Sequence, residues 1–273
     1  MRLRWVLVLG LVASAALVAV VVRDRTPSRS EYCVATVGDV QAQVDLEQAR
    51  WASLMAAMGQ NRGLPPRATT IAIATAFQES KIHNIDYGDR DSVGLFQQRT
   101  SQGWGSVEQI MDPHYSIGRF YDGLVKVRGY QDLEITDAAQ RVQRSGFPGA
   151  YAQHEDDARA LSSALRGFSP AAFTCQVNPQ GAGSTKVVAD DVAAAFGELS
   201  NTTTDDLLTY PLIGEPDDVR ARGWALAHYL VGNAARLRIQ AVTFDGLTWT
   251  SQDSPDGWTD ANAASDAVTV STS

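Results

Sequence analysis

An unbroken run of 18 apolar or small residues, Trp5–Val22, flanked by Arg2 and Arg4 before it and Arg23 and Arg25 after it, decides where the rest of this chain folds. As a helix rising about 1.5 Å per residue the run spans about 27 Å, enough for a bilayer core. A cleaved signal peptide is the rival reading, but its apolar core is shorter, about 7–15 residues, and small residues at a cleavage site come after it. Here the run ends in Ala-Val-Val-Val and then charges. Residues 1–25 therefore read as a signal anchor, a single transmembrane helix in the cytoplasmic membrane with the bulk of the chain extracytoplasmic; secretion after cleavage is the alternative. Either way the remainder folds in an oxidising compartment. Cys33 and Cys175, the two cysteines of the chain, are then expected to pair rather than to be unrelated buried thiols. Closing a loop of 142 residues contributes at most about 5 kcal/mol in the chain-entropy model.

Hydrophobic residues at 44% and charged residues at 20% place the chain among globular proteins. Its formal charge is −8, and the first 25 residues hold four arginines against one aspartate, so the body is more acidic still. That argues against nucleic acid as a partner and leaves a neutral sugar polymer open.

The chemistry-bearing stretch is Thr75–Arg99. Pro65 and Pro66 suit the first turn of a helix, where a missing N–H is harmless. Ile71, Ala74, Thr75 and Gln78 recur at helical spacing. Glu79 and Ser80 fall in the last turn, where the carbonyl end of the helix disfavours a carboxylate anion. Partial burial there raises a carboxyl pKa and suits a general acid; the plainer reading is a solvated Glu at a helix end. The residues after the helix sharpen the choice. Glu79-Ser80, an extended polar loop, and then Gly94-Leu95-Phe96-Gln97 resemble the catalytic motif of lytic transglycosylases in the lysozyme-like superfamily, which show Glu-Ser at a helix end and then Gly-Leu-Met-Gln. Asp112-Pro113 opens a helical segment through Leu124, as the Asn-Pro helix of that family does. The resemblance covers roughly residues 44–167. It departs in Phe96 for Met, in the acidic loop Asp86-Tyr87-Gly88-Asp89-Arg90-Asp91, and in Gln143-Arg144-Ser145 and Tyr151, which stand where the family has Tyr-Asn.

The resemblance implies a mainly α lysozyme-like domain that cleaves the β-1,4 bond between N-acetylmuramic acid and N-acetylglucosamine in peptidoglycan glycan strands. Glu79 is the implied acid and base, forming 1,6-anhydro-muramyl ends. Ser80, Gln97, Gln98, Tyr115, Tyr121 and Tyr151 are the candidate substrate-binding residues: amides pair with hydroxyl and N-acetyl groups, and rings pack on sugar faces. Asp86, Asp89 and Asp91 are candidate second carboxylates for a hydrolytic muramidase, the alternative reaction. A non-catalytic cell-wall-binding or scaffold protein is the alternative class. Asp89 and Asp91 have the spacing of a calcium loop, but the rest of that pattern is absent. No metal and no cofactor is expected, and no Ser-His-Asp, zinc, P-loop or dinucleotide motif occurs.

Residues 26–44 read as an extracytoplasmic tether with a strand-like Tyr32–Val37, and residues 45–168 as the lysozyme-like domain. Within it one helix begins near Asp45 and ends by Gly63, and another is capped by Thr136 and ends near Arg144. Residues 169–186, rich in Pro, Gly, Ser and Ala, read as a linker. Residues 187–260 read as a small α/β C-terminal module: helices over Val187–Leu199 and Asp217–Leu237, then a hairpin turning at Asp245-Gly246. This module is weakly similar to one on some actinobacterial cell-envelope proteins, which implies an envelope protein partner. Residues 261–273 read as a disordered tail.

Overall fold

The computed structural model describes residues 30–144, 149–179, 181–262 and 264–273. Residues 31–273 form one compact unit.

The unit begins with a hairpin, β1 (Tyr32–Val37) and β2 (Val40–Val44), to which β5 (Phe173–Gln176) adds on the open side of β1. Cys33 lies directly opposite Cys175 across β1 and β5, and the two form a disulfide. A covalent tie thus joins the strands that enter and leave the helical region. Between them, α1 (Leu46–Asn61) starts in a capping box: Asp45 accepts from the Gln48 N–H, and the Gln48 side chain accepts from the Asp45 N–H. The next helix, α2 (Pro66–Ser80), starts at the double proline. It is the central helix of the molecule. Every residue from Ala68 to Ala76 is buried, so it has no solvated face between its first and last turns. Small residues allow neighbours that close, and the buried hydroxyls of Thr70 and Thr75 bond back to the carbonyls one turn earlier. Around it stand α1, α4 (Pro113–Leu124), α5 (Ile135–Gln143) and α6 (Glu155–Leu165). A short helix, α3 (Val107–Met111), precedes α4. A two-stranded ladder, β3 (Ser92–Val93) with β4 (Gln98–Arg99), carries the loop after α2.

The C-terminal part contributes α7 (Thr185–Phe196), β6 (Thr202–Thr204), β7 (Leu207–Pro211), α8 (Pro216–Gly232), α9 (Ala234–Leu237), β8 (Ala241–Phe244), β9 (Leu247–Thr250), β10 (Thr259–Asp260) and β11 (Ala267–Ser271). Its strands form an antiparallel sheet in the order β10-β9-β8-β11-β7-β6. The β8–β9 turn is the expected one, with Asp245 and Gly246 both left-handed (φ 51° and 80°). Helix α8 packs against α1 and α6 and against the sheet, and is buried throughout Gly223–Gly232. Gly167 meets it so closely that a Cβ would lie 1.8 Å from the Ala221 carbonyl oxygen. Trp224 and Trp249 belong to this shared core.

Several expectations are corrected. The fold is mixed α/β, 46% helix and 18% strand in three sheets, not mainly α. Apart from the strand-like Tyr32–Val37, which is β1, and the expected β8–β9 hairpin, several strands come from segments whose composition suggested none. The tether holds β1 and β2, the linker holds β5 and the start of α7, and the tail holds β11 at the middle of the large sheet. In each, alternate residues are buried: Phe173 and Cys175, Val268 and Val270. The fifth helix begins after Glu134, which makes no side-chain cap bond, and Thr136 lies inside it. The expected helix Asp217–Leu237 is divided at Asn233 into α8 and α9. Among the described residues no helix is long and apolar enough to cross a membrane. The assignment to the membrane as a single-pass protein is corrected accordingly; Trp5–Val22, on which it rested, lies outside the described residues.

Candidate active site

At its last turn the central helix meets solvent again: Phe77, Gln78 and Glu79 are partly buried after nine buried residues. The helix then stops abruptly. Lys81 and Ile82 are both left-handed (φ 55° and 56°). For Ile82, β-branched and fully buried, that conformation costs on the order of 1–3 kcal/mol. It is held by its N–H bond to the Ala76 carbonyl (3.0 Å) and by Gln48, whose amide donates to the Lys81 carbonyl (2.8 Å). The chain therefore turns away immediately after Glu79-Ser80.

The loop beyond this turn is built from the residues that carried the resemblance. Ser80 Oγ donates to the Leu95 carbonyl at 2.7 Å, tying the helix end to Gly94-Leu95-Phe96-Gln97. The β3–β4 ladder closes those four residues into a tight loop. Gly94 (φ 79°) admits no side chain, since a Cβ would sit 2.9 Å from the Ile110 carbonyl oxygen. Gln97 braces the loop from its amide to the carbonyls of Tyr87 (3.2 Å) and Gly94 (3.4 Å). Gln98 is buried and donates to the Ser116 carbonyl at 3.4 Å. Phe96 is buried and stacks on Phe120, centroids 4.4 Å apart. Ser80, Gln97 and Gln98 thus hold the loop against the helix.

Two residues far along the chain converge on Glu79. The Tyr151 hydroxyl donates to Glu79 Oε1 at 2.6 Å. It is brought there by the single turn Ala152–His154, which docks on the end of α2: His154 stacks on Phe77 (5.4 Å), and the Gln153 amide donates to Gln78 Oε1 (3.0 Å). Gln143, at the end of α5, donates to the Phe96 carbonyl (2.6 Å) and reaches the same carboxyl group. Burial pushes the Glu79 pKa above the ordinary carboxylate value, and the Tyr151 and Gln143 bonds pull it partly back. Glu79 is thus an acid biased towards its protonated form and held in one orientation. In the sequence Gln143 stands out only as a departure from the Tyr-Asn pattern; no local periodicity points from position 143 to position 79.

The other candidates are placed differently. Tyr121 is fully buried and donates to the Met55 carbonyl (2.8 Å), so it is a core residue, not a sugar contact. Tyr115 donates to the main-chain carbonyl of Trp104 (3.0 Å). Asp91 accepts from Arg99 Nε (2.7 Å), the Ser101 N–H (2.8 Å) and the Ser101 hydroxyl (2.9 Å), which hold its carboxyl far below the usual range. Asp86 and Asp89 are exposed, and Asp89 faces Arg90 at 3.8 Å. Among the described residues no group of three or more His, Cys, Asp or Glu side chains is arranged to hold a metal ion.

Two cavities adjoin Glu79 through its neighbours. One, of about 580 Å³, is lined by Ser80, Lys81, His83, Asn84, Asp86 and Tyr87 among others. The other, of about 600 Å³, is lined by Trp104, Arg119, Lys126, Arg141, Gln143 and Arg144 among others. A third, of about 530 Å³, lies at Pro66, Arg67 and Thr70, the far end of α2 and so about 20 Å from Glu79 along the helix. It is no part of this site. No protein-family model matches this chain, and no curated protein matches it.

Proposed function

We propose that this chain is a peptidoglycan lytic transglycosylase whose acid and base is Glu79. One observation carries the reading: a carboxyl group at the exposed end of the central helix has its pKa raised by burial, yet is oriented by the Tyr151 hydroxyl. In the reaction the Glu79 carboxyl donates its proton to the glycosidic oxygen as the bond from that oxygen to C1 of N-acetylmuramic acid breaks. The muramyl 6-hydroxyl attacks C1 and gives its proton to the Glu79 carboxylate. The products are a free 4-hydroxyl and a 1,6-anhydro ring; the carboxyl group is regenerated and no water is consumed. A raised pKa suits the first half of this cycle, and the Tyr151 bond steadies the anion between the halves. One carboxyl suffices because the nucleophile belongs to the substrate, whereas hydrolysis ordinarily needs a second. The state of Asp91, engaged by Arg99 and Ser101, favours transglycosylation over hydrolysis.

The test is to incubate the wild-type chain and Glu79→Gln with purified peptidoglycan and to analyse soluble fragments by mass spectrometry. Anhydro-muramyl ends from the wild type alone are expected. Fragments heavier by one water would replace the proposal with hydrolysis. Retained binding to sacculi without fragments would replace it with a non-catalytic wall-binding role.

A further inference from the structure

The cavity lined by Gln143 differs in charge from the rest of this acidic molecule. Arg119 on α4, Lys126 just past its end, and Arg141 and Arg144 at the end of α5 all line it. Asp122 is the carboxylate among its lining residues, and it is already engaged by Arg62 from the end of α1. Among the described residues none of the four cations forms an ion pair, whereas Arg62, Arg99, Arg159, Lys186, Arg220 and Arg236 all do. The Nε of Arg119 is buried without a hydrogen-bond partner, and its Nη2 makes one long contact, 3.5 Å, to the Gly103 carbonyl. Four like charges gathered around one space repel one another, and an anion placed among them relieves the repulsion. Arginine forks match carboxylate geometry, and the focused field of a lined cleft favours an anionic ligand over a neutral one. Trp104, Val127 and Val142 add apolar wall, which suits a ligand that is anionic at one end and apolar along its length.

The cavity is also coupled to the acid. Gln143 lines it, bonds the Phe96 carbonyl of the loop under Glu79, and reaches the Glu79 carboxyl. From this juxtaposition we propose that the cavity is an anion subsite of the active site, in which Arg119, Lys126, Arg141 and Arg144 hold the free carboxylates of the peptide carried by a muramyl residue next to the bond at Glu79. The proposal rests on the reading of Glu79 as acting on peptidoglycan, and it narrows the substrate to strands that still carry peptides with free carboxylates. Gln143 is on this account a positioning residue between the two.

The experiment measures equilibrium binding by calorimetry, using the full chain carrying Glu79→Gln so that strands are not consumed. The ligands are two sets of soluble glycan strands, one with peptides bearing free carboxylates and one with the same carboxylates amidated. Tighter binding of the free-carboxylate set is expected, weakening with added salt. Lys126→Gln with Arg141→Gln, two exposed positions, is expected to lower that preference roughly tenfold, the size of losing one or two charge-assisted contacts. Lys186→Gln, which removes one positive charge from α7 outside the cavity, is expected to leave it unaltered. Equal binding of the two ligand sets, or a preference that survives the double variant, overturns the proposal. Binding is read without turnover, so a chain that binds free-carboxylate strands but cleaves nothing sinks the catalytic reading and keeps the subsite.

Discussion

The molecule buries two titratable groups in contrasting ways. Glu79 sits at the end of α2, partly buried, with the Tyr151 hydroxyl bonded to it and with its neighbours Gln143 and Ser80 each lining a cavity. His228 sits in the C-terminal half of α8, fully buried against Trp224 and Phe173, with Nδ1 donating to the Ala164 carbonyl at 2.7 Å and Nε2 without a partner. Burial disfavours the charged form of both: it raises the pKa of the acid and lowers that of the imidazole to about 4. The difference lies in access. Glu79 has a donor that steadies its charged form and neighbours that line two cavities. His228 has a single carbonyl and packed rings. Desolvation is common to both groups, so the proposed role of Glu79 rests on its oriented donor and on the cavities lined by its neighbours.

The comparison breaks most sharply on activity. Glu79→Gln is expected to lower the rate of fragment release about 10²–10⁴-fold, the usual worth of a general acid and base. His228→Gln, by contrast, is expected to change turnover little in whatever fraction remains folded; a comparable loss of turnover there would erase the distinction.

The next largest effect is on stability against pH, where the two groups carry opposite signs. The folded pKa of His228 lies below its unfolded value, so the unfolded chain takes up its proton first as pH falls. Stability is present above about 6.5 and is lost between about 6.5 and about 4, on the order of 3 kcal/mol over the window. The folded pKa of Glu79 lies above its unfolded value. Its contribution is full below the ordinary carboxylate range and is lost as pH rises through the raised pKa. Thermal unfolding of the wild type and both variants across pH 4–8 measures this. Relative to wild type, Glu79→Gln is expected to gain stability towards neutral pH, and His228→Gln to flatten the acid side. The same sign in both variants would refute the account.

A smaller effect probes the packing around His228. Gly223 faces the Phe244 ring so closely that a Cβ would lie 2.1 Å from Cζ. Gly223→Ala is expected to destabilise by about 1–3 kcal/mol, the usual range for overpacking, in urea unfolding, with no change in the pH profile of activity. The smallest expected effect sharpens the Glu79 side. Tyr151→Phe removes the bond that lowers the Glu79 pKa, so the basic limb of kcat/KM against pH moves upward and the rate falls about three- to tenfold. An unmoved limb would make Tyr151 a packing residue.

The legible parts of the fold share a physical cause: their determinants lie within one turn of each other in sequence. Asp45 and Gln48 cap α1, Pro65 and Pro66 open α2, and Asp245-Gly246 turns the β8–β9 hairpin. Segments read by composition fared worse. Ala267–Ser271 is Ala-Val-Thr-Val-Ser, in a stretch rich in small polar residues, yet its alternation lets Val268 and Val270 enter a core that the chain before it had already built. A strand that short is decided by its neighbours β7 and β8, whose pairing partners are distant in sequence.

The site divides in the same way. That Glu79 ends an apolar helix was set by the sequence alone, because helix periodicity is a local property. The tertiary structure decided that Tyr151, 72 residues away, bonds Glu79, that Gln143 joins it, that Tyr121 belongs to the core, and that Asp91 is engaged by Arg99 and Ser101. Hydrogen bonds and desolvation act across space and leave no period in the chain, so only the packed molecule assigns them.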